Sequence, residues 1–432
     1  DREQEIEEFV PEEYWTLTTR LQKEGFPSFE ARLTRRGGEK VTLRSEEEVR
    51  AVVAAVQNEP FTVSQVVRQE KLKRPPLPFT TSTLQQEANK RFGFTPQRTM
   101  RVAQELYEGI ELGKEGPVGL VTYIRTDSVR VAAEVAREAA DYITARFGRE
   151  YAGNQREKST PKAGARIQDA HEAIRPTAVR REPEVVKKYL TDEQFRLYSL
   201  IWERFVASEM APAVYDVTRV DITAGEYLFR ATGAVLRFPG YLRLAGESGE
   251  EEELGEKLPE LAPGERLLLV ALEPKQHWTQ PPARYTDASL IKALEENGVG
   301  RPSTYAPTVE TIIKRGYVTR RNRVLHPTAL GRTVVELLKT YFPGIIDIQF
   351  TALMEEKLDA VEEGRADWVK LLREFYEPFK EDLRKAEAEV GRVRVVAEEV
   401  ADEVCERCGR QMVVRNGRYG EFLACPAFPE CR

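Results

Sequence analysis

Apolar side chains follow two different periodicities along this 432-residue chain. In residues 213–245 they alternate with polar ones, the pattern of a half-buried strand, and shorter strand-like runs lie in 11–75 and 267–272. Helical spacing predicts helices over 191–210 and over most of 329–390. The sequence therefore predicts a multidomain α+β protein that contains strand-rich and helix-rich parts.

Start and stop signals predict two helices on either side of Gly93. Ser82 or Thr83 can cap the first helix, and Pro96 fits the first turn of the second, which runs to about Tyr107. Two helices joined by a tight turn suggest a helix-turn-helix arrangement. One face of the second helix is predicted to hold Val102, Ala103, Leu106 and Tyr107.

A second pair of helices is predicted after residue 285. Thr286 or Asp287 can cap the first of them, and Ser303 or Thr304 can cap the second. Two short strands that pair around 320–322 follow. Helix, turn, helix and hairpin in this order are the layout of a winged helix.

Between these two pairs, residues 119–124 have the pattern of a short strand, which ends in a polar cluster at 125–128. Asp127 or Ser128 is then expected to cap a helix over about 129–147. Residues 148–165 are rich in Gly, Lys and Ser, which predicts a loop.

Composition limits the class of protein. Apolar residues make up 41% and charged residues 31%, so the chain can build cores and is not disordered as a whole. No stretch reaches the roughly 18 to 20 uncharged apolar residues of a membrane span, which predicts a soluble protein. The chain starts at Asp1 without a signal region, and its cysteines lie together at the other end, so we expect a fragment rather than a mature secreted protein.

Charge is distributed unevenly. Net charge is −6, and the run 247–260 alone carries seven Glu and one Lys. The segment 146–181 has nine Lys and Arg against four Asp and Glu. A local basic surface matters more for phosphate contacts than the global sum, although both runs can also be ordinary solvated loops.

The strongest chemical pattern is a set of four cysteines: Cys405, Cys408, Cys425 and Cys431. Two close pairs separated by a strand-like span match a four-thiolate Zn²⁺ site, and two disulfides are the weaker alternative. A small ribbon of this kind gains its folding free energy from the metal. Basic and aromatic side chains in and near the span, which suit single-stranded nucleic acid, are Arg415, Arg418, Tyr419 and Phe422.

A second pattern is the run Thr122-Tyr123-Ile124-Arg125-Thr126-Asp127-Ser128. Tyr123 and Arg125 are two residues apart, so an extended backbone places both side chains on one face. A tyrosine hydroxyl is ordinarily a poor nucleophile, but a guanidinium favours its phenolate and can hold a phosphate under attack. A tyrosine buried in a sheet is the more common explanation of such a position.

A third pattern lies at 169–177, where His171 precedes Arg175 by four residues. One helical turn would place both beside a phosphate. The alternative is a helix start with charged flanks.

Four blocks in fixed order carry a resemblance: Leu-Pro-Phe-Thr-Thr-Ser-Thr-Leu-Gln-Gln at 77–86, Gly-Leu-Val-Thr-Tyr-Ile-Arg-Thr-Asp-Ser at 119–128, Ala-His-Glu-Ala-Ile-Arg-Pro-Thr at 170–177 and Gly-Arg-Pro-Ser-Thr-Tyr at 300–305. With the terminal cysteine set, they make the whole chain resemble bacterial type IA DNA topoisomerase I. The resemblance implies ATP-independent relaxation of negatively supercoiled DNA by transient single-strand cleavage through a 5′-phosphotyrosine.

The resemblance also assigns roles residue by residue. Tyr123 matches the nucleophile, Arg125 its phosphate partner and His171 the active-site histidine. Supporting positions around the nucleophile match Gln104, Glu108, Thr122, Thr126 and Asp127. Positions that bind DNA match Arg175, Arg301, Thr304 and Arg315.

The family's architecture implies a toroid. The ranges expected are 1–14 as the tail of a first strand-binding part, 15–76 with 212–281 as a β-rich arch, 77–211 as the helical domain with the nucleophile, 282–390 as a winged-helix-like strand-binding domain, and 391–432 as linker and zinc ribbon. The implied partner is single-stranded or negatively supercoiled DNA. The protein is expected to be a monomer and to lie in the cytoplasm, associated with the nucleoid.

One departure limits the resemblance. The family begins with a domain that carries acidic Mg²⁺ ligands and a catalytic Lys, and nothing before Asp1 matches it. Mg²⁺ is therefore expected only in the full-length enzyme, and this chain alone is expected to bind a strand but to cleave little.

Two other readings of the residues remain open. A tyrosine recombinase also combines Tyr, Arg and His, but it links the 3′ end, and its His-x-x-Arg spacing is not seen because His171 and Arg175 are four apart. A non-catalytic single-stranded nucleic-acid-binding module would keep the winged helix and the zinc ribbon, with Tyr123 as a core residue.

Overall fold

A computed structural model describes residues 1–153, 171–245, 257–390 and 399–431, the last range without 418, 419, 426 and 429. Much of the predicted loop at 148–165, most of the acidic run, the first part of the linker, and Arg418 with Tyr419 lie outside the described residues. The chain divides into two compact units. Unit 1 contains Asp1–Phe79, Leu106–Tyr123 and Ser128–Ala283, and unit 2 contains Thr80–Glu105, Ile124–Asp127 and Arg284–Arg432. The finer domain boundaries given above stay a prediction.

The strands of the described residues, in chain order, are β1 (Glu13–Gln22), β2 (Ser28–Arg36), β3 (Glu39–Lys40), β4 (Phe61–Lys73), β5 (Ile110–Glu111), β6 (Pro117–Val118), β7 (Ala213–Ala224), β8 (Tyr227–Phe238), β9 (Arg266–Trp278), β10 (Val318–Arg321), β11 (Val324–Pro327), β12 (Glu399–Val404), β13 (Gln411–Gly417) and β14 (Gly420–Ala424). The α-helices are α1 (Arg2–Glu7), α2 (Glu46–Val56), α3 (Thr81–Phe92), α4 (Pro96–Glu108), α5 (Ala133–Phe147), α6 (Pro183–Val186), α7 (Asp192–Ser208), α8 (Leu242–Ala245), α9 (Asp287–Glu296), α10 (Tyr305–Lys314), α11 (Ala329–Tyr341), α12 (Ile348–Glu362) and α13 (Trp368–Glu389). None of the helices in the described ranges is long and apolar enough to cross a bilayer.

The large sheet of unit 1 closes on itself. Its strands pair antiparallel in the order β1-β9-β4-β7-β8-β2, and β2 pairs in turn with β1. The pairing makes a barrel, and β3 extends β2 at its rim. Closure removes the free edges that an open sheet would expose.

The barrel is filled by apolar side chains, because successive side chains of each strand point alternately to the interior and to the outside. Helix α2 packs onto this core through Val49, Val52 and Val56, which helical spacing places on one face. Burial of each large side chain contributes about 1.5 to 3 kcal/mol. Strand residues of the core include Leu17, Leu21, Phe29, Ala31, Phe61, Val63, Val220, Ile222, Phe229 and Ala231.

Helix α7 is a largely buried helix of unit 1. Its buried residues lie on several faces, as expected for a helix inside a core. Two of its polar aromatic groups donate hydrogen bonds to the chain that follows the His171 motif. Trp202 Nε1 donates to the Val179 carbonyl at 2.8 Å, and Tyr198 Oη donates to the Arg181 carbonyl at 2.6 Å. Burial raises the pKa of Tyr198, so its hydroxyl stays a donor.

Unit 2 is built around α3, α9 and α10. Thr286 caps α9 in a capping box with Ser289, and Ile291 packs with residues of α10. Helices α9 and α10 with the β10–β11 hairpin form the predicted winged-helix layout. Asp287, only 1% exposed, accepts two hydrogen bonds of 2.8 Å from the Arg320 guanidinium, which ties the hairpin to the start of α9.

The hairpin turn of unit 2 reaches the end of α3. Asn322 and Arg323 both have positive φ, as the two central residues of a type I′ turn require. Gly93 ends α3 in the left-handed conformation, and a Cβ there would lie 2.9 Å from the Arg323 guanidinium. Position 93 therefore needs glycine for its backbone angle, whereas the Arg323 guanidinium, at the end of a flexible side chain, could move away from a Cβ.

The structure corrects several local predictions. Thr80, not Ser82 or Thr83, caps α3, because Thr83 occupies the third helical position and bonds back to the Thr80 backbone. Residues 119–124 are not a strand, since only an isolated bridge joins Val121 to the chain across from it.

Two helix starts also differ. Helix α5 begins at Ala133 rather than near 129, and its cap position carries no side-chain hydrogen bond. Thr304 occupies the cap position of α10, but its side chain does not cap that helix. Helices at 191–210 and in most of 329–390 are confirmed.

Candidate active site

The chain that leads to Tyr123 is held in unit 1 by backbone hydrogen bonds on two sides. Leu120 donates its N–H to the Leu106 carbonyl at 2.7 Å, in the last part of α4. Thr177 donates to the Leu120 carbonyl at 3.0 Å, and Thr122 donates to the Arg175 carbonyl at 2.9 Å. These bonds fix an extended segment that ends at the candidate nucleophile.

Gly119 allows this segment to lie against α4. A Cβ at this position would be 2.7 Å from the Tyr107 carbonyl oxygen, closer than real Cβ atoms approach. The absence of a side chain therefore permits the contact that brings Tyr123 beside the end of α4.

The Thr122 hydroxyl reinforces the same pairing. It donates to the Ala173 carbonyl at 2.7 Å and accepts from the Arg175 N–H at 3.0 Å. Arg175 is 8% exposed, and its guanidinium bonds to the Glu172 carboxylate, with Nε at 3.0 Å, and to the Pro176 carbonyl. In this arrangement Arg175 supports the loop that carries His171, and the expected DNA contact of Arg175 stays a prediction.

The Tyr123 side chain is accessible rather than buried. Its exposed fraction is 45%, which argues against its role as a core residue. The Tyr107 ring meets it nearly edge-on, with centroids 5.6 Å apart and planes at 66°. The His171 ring lies 6.2 Å away. A reachable hydroxyl beside an imidazole can approach a phosphate and exchange a proton with its surroundings.

The residues after Tyr123 belong to unit 2 and continue as extended chain. Ile124 and Thr126 are buried, whereas Arg125 and Asp127 are exposed, so Arg125 lies on the same exposed side as Tyr123, as the sequence predicted. Thr81, at the start of α3, donates its hydroxyl to the Ile124 carbonyl at 2.7 Å and accepts from the Thr126 N–H at 2.9 Å. Helix α3 thereby holds the segment that presents Arg125 and Asp127.

Gln104 and Glu108 lie one turn apart on α4, Gln104 half-buried and Glu108 exposed. Their spacing places them on the same helix face. Their supporting roles stay predictions.

The predicted strand-binding residues of unit 2 lie around α10. Arg301 Nη2 donates to Asp359 at 2.7 Å, so α12 holds this guanidinium. The Thr304 hydroxyl accepts from the Arg301 backbone N–H at 2.8 Å. Arg315 is exposed at the C-terminal end of α10. The side chain of Thr304 is therefore exposed but already engaged, and Arg315 is the accessible cation of the set.

The four cysteines meet at one point, because Cys405 and Cys408 lie between β12 and β13 while Cys425 and Cys431 follow β14. Their sulfur atoms all lie within 4.8 Å of one another, with Cys405 Sγ 3.7 Å from Cys431 Sγ and Cys408 Sγ 3.4 Å from Cys425 Sγ. A tetrahedral Zn²⁺ with bonds of about 2.3 Å would separate its sulfur ligands by about 3.8 Å. The donor set fits zinc, and the four sulfurs form one cluster rather than two disulfides.

Turns of the ribbon aim backbone N–H groups at this cluster. Hydrogen bonds from the backbone of Arg407, and then of Cys408, lower the pKa of Cys405 to about 6, whereas hydrogen bonds with the Cys408 and Cys405 thiols raise the pKa of Cys431 to about 12. A thiolate is the form that binds a metal. Residues 399–404, which lie in the range expected to hold the linker and the zinc ribbon, form strand β12 of this ribbon.

Comparison with known proteins identifies the family of this chain. The sequence profile of the DNA topoisomerase family matches residues 1–373, and that of the topoisomerase DNA-binding C4 zinc finger matches residues 402–432. The chain belongs to the bacterial type IA DNA topoisomerase I family. It is therefore an isomerase that acts on DNA and carries a zinc ribbon.

A solved structure of full-length topoisomerase I from Thermotoga maritima is similar to this chain, with 36% sequence identity and a TM-score of 0.77. The match covers 99% of this chain and 67% of the Thermotoga chain. Membership of this family supports the hypothesis that the chain is an enzyme and does not favour the non-catalytic binding module.

Sequence reasoning missed several residues that position the site. Glu172 lies inside the quoted motif, but its ion pair with Arg175 could be suspected only from their three-residue spacing. Thr81 and Gly119 carry no chemistry of their own and are recognised only once their partners are seen. Tyr107 was placed with the buried face of α4, whereas it is 39% exposed beside Tyr123.

Proposed function

We propose that this chain binds a single-stranded segment of negatively supercoiled DNA and presents Tyr123 to its backbone. The observation that carries the proposal is the placement of Tyr123: an exposed hydroxyl at the end of a segment fixed from both sides, next to His171. A nucleophile fixed before the substrate arrives pays little entropy during the reaction.

The proposed chemistry is a balanced transesterification. Tyr123 Oη loses its proton and forms a bond to a backbone phosphorus, while the bond from that phosphorus to the 3′ oxygen breaks. The 3′ oxygen takes up a proton and leaves as a hydroxyl, and Tyr123 stays linked to the 5′ end. Religation reverses these steps, so no ATP is needed.

Neighbouring side chains would divide the work. Arg125 is exposed two residues after the nucleophile and can neutralise a phosphate oxygen. His171 is placed to hold or move a proton near the Tyr123 ring. Asp127, on the exposed side of the same segment, can keep the Arg125 guanidinium oriented.

Zinc and magnesium stand differently in this proposal. The cysteine cluster would hold Zn²⁺, which stabilises the ribbon. Mg²⁺ prefers oxygen ligands, and in the part of the chain that the structure describes the cysteine set is the single His, Cys, Asp and Glu grouping fit for an ion. We therefore propose that Mg²⁺ is held by oxygen ligands and not by the four cysteines, and none of the steps above depends on it.

Strand preference is tested by binding. A labelled single strand and the matching duplex are titrated with this polypeptide over a salt series. We expect tighter binding to the single strand, weakening as salt rises because phosphate contacts release counterions. Equal affinity for both forms would contradict the proposal.

The nucleophile is tested by trapping with strong denaturant in the presence of Mg²⁺, using strands labelled at either end. Any covalent adduct should carry the 3′ label, since the 5′ end stays on the protein, and should vanish in Tyr123→Phe. Tyr14→Phe, equally a ring-preserving change, is the control. An adduct with the 5′ label would indicate a 3′ linkage and the recombinase class, and an adduct that persists in Tyr123→Phe would exclude this nucleophile.

A further inference from the structure

Tyr107 departs from the burial pattern of its own helix. On α4, Val102, Ala103 and Leu106 are 0% exposed, as an amphipathic helix predicts. Tyr107 follows directly and leaves 39% of its surface in solvent. A large aromatic side chain exposed beside a buried face is the informative exception rather than the rule.

The one aromatic neighbour found for Tyr107 among the described residues is Tyr123 itself. The two rings meet edge to face, with centroids 5.6 Å apart and planes at 66°. In such a pair one ring offers an edge and the other a single face, so each ring keeps at least one face free. The exposure of both residues shows that solvent reaches the pair.

The backbone at Tyr107 is fixed relative to the nucleophile. Its carbonyl oxygen lies against Gly119, where a Cβ would be only 2.7 Å away. The preceding residue, Leu106, accepts the 2.7 Å hydrogen bond from Leu120. The Tyr107 ring is thus presented from a rigid helix end at a set place beside Tyr123.

We propose that Tyr107 is a stacking platform for a nucleobase of single-stranded DNA that flanks the phosphate approached by Tyr123. The proposal rests on the proposed function, because it takes Tyr123 as the point the phosphate reaches. The 5.6 Å between the rings compares with about 3.4 Å per nucleotide along a stacked strand, so a base within two nucleotides of that phosphate can reach the ring. Stacking needs only the π-face that every base has, so it suits an enzyme that must accept many sequences.

Photocrosslinking and affinity test this assignment in the full 432-residue chain. Single strands that carry 5-iododeoxyuridine at successive positions are irradiated in complex with the protein, and the linked peptide is sequenced by mass spectrometry. We expect a crosslink at Tyr107 that is kept in Tyr107→Phe and lost in Tyr107→Leu. Tyr107→Leu should also weaken single-strand binding about tenfold without a change in the salt slope, since a stacked base and not a phosphate contact is lost.

Controls separate stacking from packing. Tyr14→Leu removes a tyrosine that is also 39% exposed in unit 1, and it should leave both readouts unchanged. Tyr123→Phe should keep the crosslink at Tyr107, because it keeps the neighbouring ring. Circular dichroism and thermal melting of Tyr107→Leu show whether this variant is folded. If it is not folded, the test rests on Tyr107→Phe and Tyr107→Trp. Both variants keep an aromatic ring and are expected to bind the single strand as tightly as the parent.

Each outcome has a distinct meaning. Unchanged affinity and crosslinking in folded Tyr107→Leu would overturn the platform while leaving single-strand binding intact. Loss of affinity with a smaller salt slope would overturn it too, because it would reveal a phosphate contact. Absence of single-strand binding by the parent chain would overturn the proposed function itself, and with it the platform.

Discussion

The barrel of unit 1 and the terminal ribbon are both antiparallel β-structures, yet they are stabilised by different interactions. The barrel closes around a set of side chains that are almost completely buried, among them Phe61 and Phe229. Among the ribbon side chains that the structure describes, Val413 alone is buried, and Phe422 and Phe428 are more than half exposed. Four sulfur atoms gathered at one point take the place of a core in the ribbon.

This difference shows two ways in which a chain can order strands. A barrel depends on the summed burial of many side chains, so the loss of any one of them removes only part of its stability. A ribbon of about thirty residues buries too little surface to fold on its own and depends on one metal. The two regions should therefore respond oppositely to metal removal and to a core truncation.

The largest effect is expected from removal of zinc. Apparent zinc affinities of small zinc-finger peptides correspond to about 10 to 16 kcal/mol, which is also their folding free energy. A chelator, or Cys408→Ser, should expose the amides of β12 and β13 to full hydrogen exchange and leave β7 and β8 protected. Glu406→Gln, an exposed change in the same turn, serves as the control. Protection of β12 that survives zinc loss would mean that the ribbon has a sufficient core of its own.

Truncation inside the barrel gives the reverse result. Phe229 is 0% exposed and packs on Phe61, with ring centroids 5.4 Å apart. Phe229→Ala should lower the free energy of unfolding by about 3 to 5 kcal/mol while the zinc content stays the same. Val235→Ala, at a 44% exposed position of the same strand, should change it by less than about 0.5 kcal/mol. Urea unfolding followed by tryptophan fluorescence measures both, and equal losses would contradict the core assignment.

The segment before Tyr123 is positioned by a close backbone approach besides the burial of Leu120 and Val121, and a smaller change should disturb it. Gly119→Ala places a Cβ 2.7 Å from the Tyr107 carbonyl, so the backbone must move, at a cost of about 1 to 3 kcal/mol. The Tyr107 crosslink to DNA should fall at the same time. Gly344→Ala is the matched control, since nothing lies within 4 Å of its Cβ. A folded Gly119→Ala protein with unchanged stability and crosslinking would show that the close approach is not needed.

The sequence predicted where the strands of the barrel lie along the chain better than it predicted which strands pair with each other. Strands β7 and β8 lie within the alternating region, because one side of each faces the core. Strand β9 runs on to Trp278, beyond the predicted end at 272, because its outer part pairs with β1 in the register Glu13 to Trp278. Such pairing joins distant parts of the chain, so no local pattern contains it.

The candidate site was predictable in its residue types but not in its geometry. The proximity of Tyr123 and His171 came from a family resemblance, since the two residues lie far apart in sequence. The shared exposed side of Tyr123 and Arg125 was correctly predicted, because it follows from extended backbone alone. The missing strand at 119–124 shows the limit of that rule, since extended chain becomes a strand only when a partner supplies a continuous ladder.

The smallest expected effect is a loss of stability at alkaline pH, which can be compared between the two units. Burial, and then the Glu295 charge, raises the pKa of Tyr305 in unit 2 to about 12. An unfolded tyrosine titrates near 10, so the unfolded chain releases its proton first. The stability contributed by the neutral hydroxyl is fully present below about pH 10 and is lost as the pH rises towards 12, on the order of 1 kcal/mol after allowance for solvent. Tyr305→Phe should flatten this alkaline decline in urea unfolding.

Tyr142→Phe in unit 1 is the matched variant for this measurement. Its pKa is also raised to about 12, first by burial, but its hydroxyl donates to Glu182 at 2.9 Å. Its replacement therefore removes, at neutral pH, a hydrogen bond worth about 1 kcal/mol, besides flattening the decline. Tyr305→Phe should thus keep the parent's stability at neutral pH, whereas Tyr142→Phe should not. Parallel curves for the parent and Tyr305→Phe between pH 10 and 12 would show that the buried hydroxyl of unit 2 contributes nothing to this loss.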